Sequence, residues 1–246
     1  MASRSFQSFD GKTRSLKQHL QLMDVSLTRA NKHCAKYSGN GKLIAETLKV
    51  TTASHPQLNI PNQSKDISRT FATSRKKLNE QAIIELYANF SDYLSSVIRE
   101  LENTRPQQIL SIVPPNSDTF LTYKDVFIIG SYPAILDEIA KKVYRSLEDE
   151  RSTPKLLKRF IKTTKLNVPV NLQEDALTYL EVRHLIIHAN SKADSKFHSL
   201  NQRNLVTVNP TNQMLTINYS MTSAAIDKVV ELCKKLDDEL VRNGLL

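Results

Sequence analysis

Ile83, Tyr87, Phe90, Leu94, Val97 and Leu101 recur every three or four residues, and this stripe limits the fold more than any other feature. Each helical residue turns about 100°, so a helix gathers such positions on one face. The spacing predicts a long helix over about 76–103. A second stripe, Leu16, Leu20, Met23, Leu27 and Cys34, predicts a helix over 13–36. A third, Ile226, Val229, Val230, Cys233, Leu236 and Leu240, predicts a last helix from Ser223 that Gly244 ends. Only 5 Gly and 9 Pro punctuate 246 residues, and the expected class is all-α.

Local signals divide the chain further. "RPQQILSIVPPNSD" breaks the long helix, and a helical stretch over 123–149 is interrupted around Gly130–Pro133. Thr153-Pro154 opens a short basic helix to about Thr164. Asn171 followed by Glu174 has the form of a capping box starting a helix that runs to about Asn190. Residues 38–75, rich in Ser, Thr, Asn, Gln and Pro, read as an irregular connection with a short periodic patch at Leu43–Val50. "NLVTVNPTNQMLTINYS" (204–220) alternates apolar and polar residues and predicts a small β-hairpin before the last helix. The expected organisation is a basic N-terminal extension, 1–75, followed by a helical bundle, 76–246.

Charge is unevenly spread. Residues 1–80 hold 14 Lys and Arg against 5 Asp and Glu, whereas 81–246 hold 20 of each. Within the neutral part, "RSTPKLLKRFIKTTK" (151–165) carries six cations and no acid. Such patches attract polyanions through counterion release, or serve as solvated faces that keep a protein dispersed. The longest apolar runs are too short to span a bilayer, and "MASRSFQSFDGKTRS" lacks a secretory core. Cys34 and Cys233 have no metal-ligand spacing around them, so free thiols in a cytoplasmic protein are expected.

"EVRHLIIHANSKAD" (181–194) puts an arginine and two histidines into an apolar helix. On a wheel of 172–189, Leu172, Ala176, Leu180 and Ile187 share one arc. Arg183 and His188 bracket it, about 140° apart, with His184 inside. Val182, Leu185 and Ile186 cover the other side, so the helix is expected to be buried all round. An arginine there keeps its charge and needs an anion. Three readings are open. Arg183 pairs with a buried acid, Asp92 or Glu85. His184 and His188, at i and i+4, share a metal with Glu181 nearby. Or Arg183 holds a phosphodiester while a histidine moves protons.

The segment "VRHLIIHANSKADSKF" resembles the arginine–polar–x3–histidine signature of the HEPN superfamily of helical bundles. The resemblance covers about 76–243, with "AIIELYANFSDYLSSVIREL" as the family's first helix and 171–190 as its motif helix. Two positions depart from the pattern. Ala189 stands where an asparagine often follows the motif histidine, with Asn190 one place on. Ser91 stands where the first helix often carries an acid, with Asp92 beside it.

The resemblance implies a metal-independent endoribonuclease needing no cofactor, formed as a homodimer with motif helices facing across the interface. Arg183 and His188 would be catalytic, with His184 orienting substrate or its neighbour. Asn190 and Asp92 would assist at the substrate. The basic N-terminal third and the 151–165 patch, with Lys155, Lys158, Arg159 and Lys162, are expected to bind the RNA backbone. A role in phage defence or a toxin–antitoxin pair, with an antitoxin or regulatory partner, follows by family analogy. The other class is a non-catalytic HEPN module that dimerises and binds RNA or nucleotide.

Overall fold

A computed structural model describes residues 2–104, 121–149 and 153–246. The fold is an all-α bundle, with nine helices among these residues. They are α1 (Arg4–Lys36), α2 (Ile44–Thr47), α3 (Ser64–Thr104), α4 (Tyr123–Ile129) and α5 (Tyr132–Asp149), followed by α6 (Thr153–Thr164), α7 (Val170–His188), α8 (Ser195–Leu200) and α9 (Tyr219–Arg242). No described helix is long and apolar enough to cross a membrane.

The stripe from Ile83 to Leu101 belongs to α3, whose 41 residues run about 60 Å at 1.5 Å per residue. Ile83, Leu86, Phe90, Leu94, Val97 and Leu101 are buried in the main core. There α3 meets α7, α9 and the first half of α1. Each such side chain contributes about 1.5–3 kcal/mol on leaving water. From α9 the stripe Ala225, Ile226, Val229, Leu232, Leu236 and Leu240 enters the same core.

The N-terminal region is more ordered than its composition suggests. α1 begins at Arg4, where the Ser3 hydroxyl accepts a bond from the Phe6 N–H (3.1 Å). It runs antiparallel to α3: Ser5 donates to Glu100, Lys12 pairs with Asp92, and Arg75 donates to Thr28. Phe9, Leu16 and Leu20 join the main core. Farther along, Cys34, Ile44, Ile67 and Phe71 form a second small core between the end of α1, α2 and the start of α3. The boundary expected at 75/76 therefore falls inside α3. Ile67 and Phe71, one turn apart, carry the helix back through a polar stretch because their face has a partner to pack on.

Two local expectations are corrected. Residues 204–220 do not form a β-hairpin: Val208 and Leu215 make an isolated bridge, and Lys192 makes another with Met214. Alternation there reflects one-sided burial of Val206, Leu215 and Ile217 against helices, which needs no ladder. Pro210 offers no donor, and the Asn209 side chain takes the N–H groups of Thr211 and Asn212. At the start of α7 no capping box forms. Pro169 is the cap residue, and the Asn171 side chain accepts only from the neighbouring Leu172 N–H.

Candidate functional site

α7 enters the core immediately. Leu172, Ala176, Leu177, Leu180, Val182 and Leu185 are buried on several sides of it. Its buried acids are held from outside, Asp175 by Arg203 (2.7 Å) and Glu181 by Lys196. A helix surrounded in this way is a rigid mount for whatever its last turn carries.

That last turn leaves the core, contrary to the expected all-round burial. His184, Ile187 and His188 fall within about 100° on one outer face. Both histidines are exposed, and Ile187 is 44% exposed. The apolar wheel averaged two regimes, a buried first part and an amphipathic end. The His184 and His188 ring centroids are 4.8 Å apart, with planes inclined at 43°.

Arg183 is half-buried and has no acidic partner among the described residues. Its guanidinium lies over the Tyr87 ring of α3, 4.9 Å from the centroid. The quadrupole of an aromatic face attracts a cation, and the contact shields one side of the guanidinium without neutralising it. Of the three open readings, the pairing of Arg183 with Asp92 or Glu85 does not form among the described residues. Asp92 bonds Lys12 of α1 at 2.7 Å and lies five residues, about 140°, around α3 from Tyr87. Glu85 is exposed.

Beyond α7 the chain turns sharply. Asn190 (φ 49°) and Ser191 (φ 60°) are both left-handed, a conformation asparagine tolerates better than most residues. The Ser191 N–H donates to Leu185 O (2.8 Å), and its hydroxyl donates to Glu80 of α3 (2.9 Å). Lys76 lies 3.6 Å from the same carboxylate. Asn190 is exposed beside the histidine end of α7. Asp194 of the "NSKAD" segment caps α8 through the Phe197 N–H (2.7 Å).

Arg183, His184, His188 and Asn190 thus share one end of α7, with Arg183 turned onto α3 and the histidines on the outer face, and Asp92 sits elsewhere. Lys158 and Lys162 are on the exposed face of α6, while Leu157, Phe160 and Ile161 turn inward. α6 joins the opposite end of α7 through residues 165–169. Arg159 is half-buried. The Lys155 side chain and Arg151 lie outside the described residues. Among the described residues no three His, Cys, Asp or Glu side chains gather as a metal site requires.

Sequence reading missed Tyr87 as the platform for Arg183 and Glu80 as the anchor of Ser191. Tyr87 was legible only as a member of an apolar stripe, and nothing local pairs it with residue 183. Compared with known proteins, the chain matches no family model, no curated protein and no solved structure.

Proposed function

We propose that the protein is a metal-independent endoribonuclease acting in the cytoplasm, with Arg183, His184 and His188 as its site. The observation that carries the reading is an arginine with no carboxylate partner beside two exposed histidines. Arg183 keeps a positive charge available to a phosphate, and histidines exchange protons near neutral pH. In the reaction an RNA 2′-hydroxyl gives up its proton and its oxygen bonds the adjacent phosphorus. The bond from phosphorus to the 5′-oxygen breaks, and that oxygen takes up a proton. The products are a 2′,3′-cyclic phosphate and a 5′-hydroxyl. His188 transfers the proton, Arg183 stabilises charge on the phosphorane, and His184 orients the scissile group.

The resemblance supports a homodimer in which two such ends face one cleft. Exposed Ile187, between the histidines, and Ile84 of α3, 36% exposed, supply apolar surface for that contact. An antitoxin or other regulatory partner, in phage defence or a toxin–antitoxin pair, belongs to the same proposal. One observation favours the non-catalytic reading: Arg183 is stacked on Tyr87, so the arginine also serves the fold or an RNA-binding surface.

The test is cleavage of single-stranded RNA in EDTA by the wild type, Arg183→Ala and His188→Ala. Cleavage by the wild type alone, leaving cyclic phosphate ends, is expected. Equal activity in all three, or activity abolished by EDTA, would sink the proposal.

A further inference from the structure

The exposed cations in the first part of α3, Lys65, Arg69 and Lys77, share one side of the helix. Relative to Glu80 at 100° per residue, Lys65, Arg69, Lys76 and Lys77 all fall within about 60° of one line along the helix. Ile84 and Tyr87 continue that line. Lys65, Arg69 and Lys77 are exposed, whereas Ile67, Phe71 and Asn79 are buried on the other side. The line therefore faces outward along the arm that α1 and α3 form, and it ends where Arg183 covers Tyr87.

The crossing of α7 fixes the direction. Arg183 meets α3 at Tyr87, and Ser191 meets it at Glu80. The chain leaving α7 thus travels toward the basic start of α3, and exposed Lys192 directly follows the Ser191 that bonds Glu80. Two acids interrupt it. Asp66 is half-buried, and Glu80 is engaged by Ser191 and Lys76. Lys65, Arg69, Lys77 and Lys192 form no ion pair with any described residue. Four uncommitted cations leading to a catalytic end match a polyanion that must pass through it.

We propose that Lys65, Arg69, Lys77 and Lys192 form a track for the backbone of single-stranded RNA, leading into the Arg183/His184/His188 site. This rests on the ribonuclease reading and adds the path of the substrate. From Lys65 to Tyr87 the line runs about 33 Å, enough for several nucleotides. The α6 patch does not share this line, since α6 is joined to the other end of α7.

The test uses full-length protein carrying His188→Ala, so that binding is read without cleavage, and fluorescein-labelled single-stranded RNA of tetramer and dodecamer length. Affinity should rise from tetramer to dodecamer and fall steeply with salt. Glutamine at all four track positions should remove the length gain and flatten the slope of log affinity against log salt by about three, at roughly 0.7 per lost phosphate contact. Glutamine at exposed Arg99, Lys124, Lys141 and Lys234, outside both the track and α6 and with the same loss of charge, should preserve both. Equal losses in the two sets, no RNA binding at all, or competition by poly-glutamate as strong as by RNA would overturn the track. Wild-type protein that binds with this pattern but never cleaves leaves the track standing and removes the nuclease. Cleavage by a wild type whose track variant keeps its length gain does the reverse.

Discussion

The Arg183 guanidinium lies 4.9 Å from the centroid of the Tyr87 ring, so α7 and α3 meet at a cation on an aromatic face. Such a contact at a half-buried position is worth about 0.5–2 kcal/mol. Tyr87→Leu should lower stability by about that amount, whereas Tyr87→Phe keeps the ring and the placement of Arg183. A double-mutant cycle with Arg183→Ala, read by urea unfolding, should give a coupling of about 0.5–1 kcal/mol. Zero coupling would show that the stack places nothing.

Asp92 faces α1 and pairs with Lys12 between exposed side chains. Asp92→Asn should cost less than about 1 kcal/mol and leave RNA cleavage unchanged. A large drop in cleavage with unchanged melting would return Asp92 to the site.

Asn190 serves a left-handed turn, with φ 49°. Asn190→Gly should preserve stability, because glycine adopts that conformation freely, while Asn190→Val should cost about 1–2 kcal/mol in strain. Cleavage by the glycine variant then isolates the side chain: full activity assigns Asn190 to the turn, and lost activity assigns it to substrate.

Glu239 on α9 accepts bonds from Lys235 (2.9 Å), Arg242 and the Asn167 N–H (3.2 Å). The bond from Lys235, with those from Arg242 and Asn167, holds its carboxyl at about 2, below its ordinary 4.5. A carboxyl lowered in the folded state stabilises above its unfolded value and loses that contribution as pH falls. Stability should therefore decline as pH drops from 4.5 toward about 2. Glu239→Gln should be weaker by about 1 kcal/mol at neutral pH and lose less over that acid range, as read by urea midpoints.

Periodicity made most of the helices legible. The stripe from Ile83 to Leu101 gives the inward face of α3, and Thr153-Pro154 opens α6 where the dipeptide indicates. Residues 64–75 were not legible as helix, because their polar residues favour helix only once Ile67 and Phe71 have Cys34 and Ile44 to pack against. The alternation in 204–220 was misleading for a related reason. Period two records which side is buried, and helices can bury that side as well as a second strand.

At the site, the residue types of "RHLIIH" were set by the sequence, and so was the one-turn spacing that brings His184 and His188 to one face. Their exposure, the stacking of Arg183 on Tyr87, and the separation of Asp92 from both were decided only by how α7 crosses α3. The reason is physical. Spacing along a helix is local geometry carried by the backbone, whereas the partner of a side chain depends on which helices the core brings together.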